Sequence, residues 1–307
     1  MLDTACILNP AANGLRTQKR RRIAEEIILQ NFGIQQEELK YQHPSEIDLA
    51  PYRNILLWSG DGGIIELLQA SLEDRLIGII PGGTGNEITK VLNLPDAQTS
   101  IACAREAFNG DERFIRETHM GKITMYNRDN AKELLFLGAV GMGIDSDAVA
   151  KISSRVKQIF GRMVYELATL WCLYNYEPST YIVKTNNEEP VVYTNVYSIN
   201  ASKVRTTGGH IVVCPTANFW GKYFDMCIIH GISKPRGVGI LKKADTGNHL
   251  GMKGVDYFEG GISRVEICMP EGKEFGLHIT GEYKTADRIV IEMSPKKVRL
   301  VFNPNAA

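Results

Sequence analysis

Three short, uninterrupted apolar runs in the first third of the chain each end in a glycine-bearing break and hand over to a helical pattern. "ACILNP" stops at Pro10 and opens into "AANG", "RNILLWSG" into "DGG", and "LIGIIPGG" into "TGN". A strand with no apolar–polar alternation is buried on both faces, and strand–helix alternation builds a parallel sheet covered by helices on both sides. In such sheets ligands gather beyond the carboxyl ends of the strands. The breaks at Asn13-Gly14, Gly60 to Gly63 and Gly82 to Gly85 are therefore predicted to lie along one edge of one sheet.

From about residue 120 the pattern changes. "KITMYN", "ELLFLGAVGMG", "STYIVKTN", "PVVYTNVYSIN", "HIVVCP", "FDMCIIHG", "SRVEICMP", "FGLHIT" and "DRIVIEMS" are short β-rich runs separated by turn signals, the pattern of an antiparallel sandwich or barrel. One segment breaks the series. In residues 153–176, Val156, Ile159, Phe160, Met163, Val164, Leu167, Leu170, Trp171 and Tyr174 recur at helical spacing and predict a helix with one wide apolar face. That face serves either as ordinary core or as the wall of an apolar pocket. The final "KVRLVFNP" is read as a strand returning to the first sheet. At 307 residues the chain is long enough for two cores. The expected division is an α/β domain over residues 1–120 plus about 295–307, and a β-sandwich domain with a helix over 121–294.

Charge narrows the partners. The 35 basic residues balance the 35 acidic ones, so no general field draws the chain to nucleic acid or to an anionic bilayer. The local cluster Lys19, Arg20, Arg21 and Arg22 reads as a solvated helix face, as phosphate steering or as a membrane-surface contact. Cys6, Cys103, Cys172, Cys214, Cys227 and Cys268 are scattered, without a metal-binding pair, and suit small buried hydrophobes in a reducing compartment. The N-terminus has no basic leader and no apolar stretch nears the ~20 residues of a membrane span. The expectation is a cytoplasmic protein, at most peripheral at a membrane.

Chemistry concentrates in the glycine loops. In "GIIPGGTGNE" three glycines allow close approach of phosphate oxygens to the backbone, and Thr84 and Asn86 add hydrogen-bond donors. The loop is neither a Walker loop, since no Gly-Lys-Ser/Thr follows, nor a dinucleotide fingerprint. "SGDGG" is less specific, because Asp-Gly also marks plain turns. Asp61 within it suits a metal-binding role, proton transfer or turn formation.

Taken together, "NPAANG", "SGDGGIIE" and "IIPGGTGNEITKVLNLP" resemble the diacylglycerol kinase catalytic-domain family, which includes sphingosine kinases and bacterial lipid kinases. The later segments "FLGAVGMGIDSDAV", "FGRMVYELATL", "GGHIVVCPTANFWGKYFDMCIIHG" and "HITGEY" follow the family's order, so the resemblance spans nearly the whole chain. It implies ATP and Mg2+ as cofactors and phosphoryl transfer to a hydroxyl of a lipid or lipid-like acceptor. It implies nucleotide contacts by Asn9, Gly14, Gly60, Gly62, Gly82, Gly83, Thr84 and Asn86. Asp61 is implied as the residue of the metal-phosphate site or as the base. Glu66 matches the family glutamate, and Asp145 matches an acidic residue that faces the acceptor head group in sphingoid-base kinases. Small bacterial members are often dimers, which makes a homodimer one expectation.

Four positions depart from the family pattern. Thr280-Gly281-Glu282 stands where Asp-Gly-Glu is usual, and the aspartate is a proposed general base; here that role passes to Glu282, to Asp61 or to no residue. Gly63 replaces a threonine, Glu87 an aspartate, and Trp220 an aspartate associated with a structural magnesium site. A nucleotide- or lipid-binding homologue with impaired catalysis, or a kinase of a soluble acceptor, are the alternatives these changes leave.

Overall fold

The computed structural model describes residues 4–12, 15, 18–32, 39–128, 130–151, 174–208 and 210–305. The chain divides into two compact units, Met1–His119 with Lys296–Ala307, and Met120–Pro295. In the first, β1 (Thr4–Leu8), β2 (Leu39–Lys40), β3 (Asn54–Ser59) and β4 (Leu76–Pro81) run parallel in the order β4-β3-β1-β2. Every residue of β1 and all but the first of β3 are buried, as uninterrupted apolar runs require. Leu8 pairs with Trp58, and Ser59 with Pro81, so the three strands end level with one another. The loops after β3 and β4, and residues 9–12 after β1, therefore share one edge.

Around this sheet lie α1 (Gln18–Phe32), α2 (Asp61–Leu68), α3 (Glu87–Val91) and α4 (Ala97–Phe108). α1 buries Ala24, Ile28 and Phe32, spaced by four, and turns Lys19, Arg22 and Glu26 outward. Its Arg21 donates from Nε to the Leu15 carbonyl at 2.8 Å and lies 4.2 Å above the Tyr41 ring, so it is fixed in place. α4 starts where the Asp96 side chain accepts the Thr99 N–H at 2.8 Å, an N-cap that satisfies an otherwise orphaned donor. The last strand of the chain (Arg288–Val301) reaches this sheet at its end, with Arg299 opposite Leu76 and Leu300 opposite Ile77 in parallel register. The return of the chain's final strand is thus observed.

The second unit is built mainly from β5 (Ile115–Asn127), β6 (Asn130–Phe136), β7 (Ala139–Gly143), α5 (Ile144–Lys151), β8 (Ser179–Thr185) and β9 (Val191–Ser202). It continues with β10 (Phe224–His230), α6 (Lys234–Ala244), β11 (Val255–Ile262), β12 (Arg264–Cys268), β13 (Phe275–Ile279), β14 (Glu282–Ala286) and β15 (Arg288–Val301). The antiparallel order is β14-β13-β7-β9-β8-β12-β15, with β10 joining β9 to β11 and β5 pairing with β6. This is the expected β-sandwich class.

Three local details differ from the sequence reading. "HIVVCP" forms only an isolated bridge from Thr207 to Ile211; it is apolar because Ile211, Val213 and Cys214 pack under Ile240 and Ala244 of α6. α6 itself escapes a periodicity reading because Gly237 and Gly239 sit within its eleven residues. α5 begins directly after Gly143, whose φ of +82° suits glycine, and carries Asp145 and Asp147 in the first turn, where the helix dipole favours acids. The apolar helix expected at 153–176 lies outside the described residues but for its last few positions, as does Cys172. Among the described cysteines, Cys6, Cys103, Cys214 and Cys227 are buried and Cys268 is half-buried. Burial pushes the Cys227 thiol up to about 12, so it is inert at neutral pH.

Candidate active site

The loop edge of the first unit is closed by contacts that only glycine permits. A Cβ added to Gly83 would lie 2.8 Å from Gly60 Cα, and one added to Gly60 would lie 2.9 Å from Gly83 Cα. The loops after β3 and β4 therefore touch backbone to backbone. The Gly82 N–H donates to the Ser59 carbonyl at 2.9 Å and fastens the same junction. Asn86 adopts φ +52°, ψ +41°, a conformation Asn tolerates better than most residues. Its Oδ1 accepts the Gly83 N–H at 2.9 Å and its Nδ2 donates to the Gly83 carbonyl at 3.0 Å. The Asn86 amide thus shapes the loop from within, and Thr84 stands exposed at the tip.

Asp61 is the first residue of α2 and partly buried under this loop; its Oδ2 would lie 3.2 Å from a Cβ on Gly85. Its Oδ2 accepts the Glu87 N–H and its Oδ1 the Ile88 N–H, each at 3.2 Å. The start of α3 is therefore capped by Asp61. At the start of α2, Gly60 supplies no side-chain cap among the described residues, and the N–H groups of a first turn have no partner inside the helix. Loss of solvent around Asp61 raises its carboxyl from 3.8 to about 6, although the two N–H bonds pull the other way. The nearby Glu87 carboxylate, buried and 3.8 Å from Lys90 Nζ, adds to the upward push.

A partly buried carboxylate with raised proton affinity beside glycine loops is a place that a cation would stabilise. No group of three or more His, Cys, Asp or Glu side chains converges on a metal position among the described residues. That donor set does not make a protein-only cage. It does suit magnesium, which is commonly held by one or two carboxylates together with substrate phosphates.

Asn9 is 2% exposed and Ser59 1% exposed. The Asn9 amide is spent inside the protein, donating to Ser59 Oγ and accepting the Ala11 N–H, both at 2.9 Å. Gly14 lies outside the described residues. Glu66 is half-exposed on α2, its Oε2 3.6 Å from His43 Nδ1.

In the second unit, Asp145 is partly buried, and its Oδ2 accepts from Ser198 Oγ at 2.8 Å and from Asn200 Nδ2. Ser198 and Asn200 stand on β9 and went unnoticed in the sequence. The signal for Asn200 is cross-strand: it pairs with Gly141, which pairs in turn with His278, and a Cβ on Gly141 would strike both side chains. α5, which carries Asp145, packs against β13 and β14. Thr280 and Gly281 form the tight turn between those strands with φ of +48° and +87°. The Thr280 N–H donates to the Ala139 carbonyl at 2.7 Å, and its Oγ1 is buried against Gly138 with no hydrogen-bond partner among the described residues. Glu282 is exposed at the start of β14. Beside Trp220, the fully buried Lys203 donates from Nζ to the Gly221 carbonyl at 2.8 Å, and burial lowers its ammonium to about 8.

Residues 4–120 match the family described as the diacylglycerol kinase catalytic domain, and residues 138–302 match the YegS C-terminal NAD kinase beta sandwich-like domain. A relative from Staphylococcus carnosus is 29% identical over 164 residues, covering 52% of this chain and 47% of that protein. A protein of Mycobacterium tuberculosis named diacylglycerol kinase is 25% identical over 197 residues, 64% of this chain and 61% of that one. The aligned regions thus span about half to three fifths of these two relatives. A crystal structure from Bacillus anthracis described as a diacylglycerol kinase superposes with a TM-score of 0.70 at 15% identity, covering 99% of this chain and 98% of that one, and shows the shared fold. With one family matched over the α/β unit and the other over more than half of the chain, this protein belongs to the diacylglycerol kinase catalytic-domain family with a YegS-type C-terminal β sandwich.

Proposed function

We propose that this protein transfers the terminal phosphoryl group of ATP to a hydroxyl of a lipid or lipid-like acceptor. The observation that carries the reading is Asp61, a carboxylate enclosed by two touching glycine loops at the start of α2, with its proton affinity raised to about 6. Phosphoryl transfer relies on positioning and charge neutralisation more than on covalent chemistry, and this site offers both. The N–H groups of the first turn of α2 and the backbone of Gly82 to Gly85 receive phosphate oxygens. Asp61 holds the cation that accompanies the phosphates. Magnesium, when bound with ATP, neutralises charge that builds on the phosphoryl oxygens. In the alternative role, with the cation held by the phosphates and not by its carboxylate, Asp61 takes the acceptor's proton, since a carboxyl near 6 is a better base than an ordinary aspartate.

In the second unit Asp145 orients the acceptor head group. Its Oδ2 is committed to Ser198 and Asn200, which, among the described residues, leaves Oδ1 for a hydroxyl or amine. The names of the relatives favour a glycerolipid or related acceptor, met at a bilayer surface from the cytoplasm. Among the described residues no helix is long and apolar enough to cross a membrane. A second reading, a nucleotide- or lipid-binding homologue without turnover, is favoured by Thr280: its hydroxyl is buried and the neighbouring Glu282 carboxylate is exposed.

Radiolabelled ATP with magnesium and mixed vesicles containing diacylglycerol, monoacylglycerol or a sphingoid base distinguish the two. The kinase reading predicts label in a chloroform-soluble product. ATP binding by calorimetry with no labelled product from any of these vesicles would favour the binding homologue.

A further inference from the structure

The end of β3 is wired to both neighbouring loops through one residue. Ser59 Oγ accepts Asn9 Nδ2 at 2.9 Å, and Asn9 Oδ1 in turn holds the Ala11 N–H at 2.9 Å in the loop after β1. The Ser59 carbonyl accepts the Gly82 N–H at 2.9 Å in the loop after β4. Ser59 ends β3 and Asn9 directly follows the adjacent β1; both are short side chains at most 2% exposed. Neither has a flexible tail that swings aside.

One helical turn on, Gly63 lies against both. A Cβ built on it would sit 2.1 Å from Ser59 Oγ and 2.2 Å from Asn9 Nδ2, far inside van der Waals contact. The Ser59 hydroxyl and a side chain at position 63 therefore exclude each other. We propose that Ser59 is a positioning residue for the phosphates, the strut that sets the spacing of the three loops, and that Gly63 is a glycine because Ser59 and Asn9 fill its side-chain space. The proposal rests on the nucleotide reading given above. Ser59 acts through Asn9 and Gly82 and does not itself touch the nucleotide.

Four proteins test it: wild type, Ser59→Ala, Gly63→Ala, and Ser59→Gly combined with Gly63→Ala. The readouts are the melting temperature without ligand and the Kd for Mg-ATP by calorimetry. Ser59→Ala keeps the β3–β4 backbone bond and adds no bulk, so it melts within a few degrees of wild type; loss of one buried hydrogen bond weakens ATP binding about tenfold. Gly63→Ala alone melts far lower, and the added Ser59→Gly recovers only the part of that loss due to the Ser59 hydroxyl, since Asn9 Nδ2 still lies 2.2 Å from the new Cβ; the two effects are nonetheless non-additive. An unchanged Kd in Ser59→Ala would overturn the positioning role. Additive losses, or a tolerated Gly63→Ala, would overturn the exclusion. Absence of ATP binding by wild type would instead remove the nucleotide reading itself, and the positioning role with it.

Discussion

Asp61→Asn isolates what the Asp61 charge does to the fold. The substitution keeps the shape but leaves only one oxygen to accept the N–H groups of Glu87 and Ile88. That loss, about 1–2 kcal/mol, does not vary with pH. The charge effect does. The carboxyl ionises near 3.8 in the unfolded chain and near 6 in the folded one. Below 3.8 it is neutral in both states. As the pH climbs toward 6, the unfolded chain releases this proton while the folded chain retains it, so folding stability falls across that window. At about 1.36 kcal/mol per tenfold change in proton affinity, the ceiling is roughly 3 kcal/mol. Asp61 is only partly buried by surface area, and solvent screening reduces the expected effect to about 1–2 kcal/mol. Urea unfolding of wild type and variant from pH 4 to pH 8 reads it directly, since all other titrations are common to both. Relative to wild type, Asp61→Asn gains stability between pH 4 and about 6 and holds the gain above. A difference that stays constant over that range would refute the desolvated-carboxylate argument.

Further outcomes follow from the same geometry. Thr280 is β-branched at a φ of +48°, a backbone conformation that costs about 1–2 kcal/mol and that asparagine tolerates. Thr280→Asn is expected to raise the melting temperature by about 2–4 °C in scanning calorimetry; Thr280→Asp gains less, because its carboxylate meets the buried spot against Gly138. Gly83→Ala drives a Cβ to 2.8 Å from Gly60 Cα, backbone that cannot step aside, and should cost about 2 kcal/mol or more in denaturant unfolding while abolishing ATP binding. Lys203, lowered from 10.5 to about 8 by burial, loses its proton in the folded state first as pH rises. Wild type should therefore gain stability relative to Lys203→Met between pH 8 and about 10, measured by urea midpoints.

Much of the α/β unit was legible because its signals are local. Continuous apolar strands, glycine breaks and a Pro-Gly-Gly-Thr-Gly-Asn loop each declare themselves within ten residues, and parallel strands of similar length bring their ends together. What stayed hidden depends on register or on contacts between distant segments. Asn200 meets Asp145, 55 residues away, because Gly141 leaves room beside it. Asn9 and Asn86 look like free donors in the sequence, yet their amides close on Ser59 and Gly83. Asp61 caps a helix that begins 26 residues later. "HIVVCP" was read as a strand because buried loops and buried strands share the same apolar composition. The helical pattern at 153–176 and Gly14 fall outside the described residues.

The central claim is that the Asp61 carboxylate serves phosphoryl transfer, and the most direct measurement is ATP-dependent phosphorylation of vesicle lipid by wild type and Asp61→Asn at pH 7.5. The two are compared at matched folded fractions, verified by circular dichroism and by the unfolding series above. The account predicts a fall in kcat of at least about a hundredfold in the variant, the scale lost when an acid–base residue or charge partner is removed. Turnover by Asp61→Asn within a few-fold of wild type would contradict it.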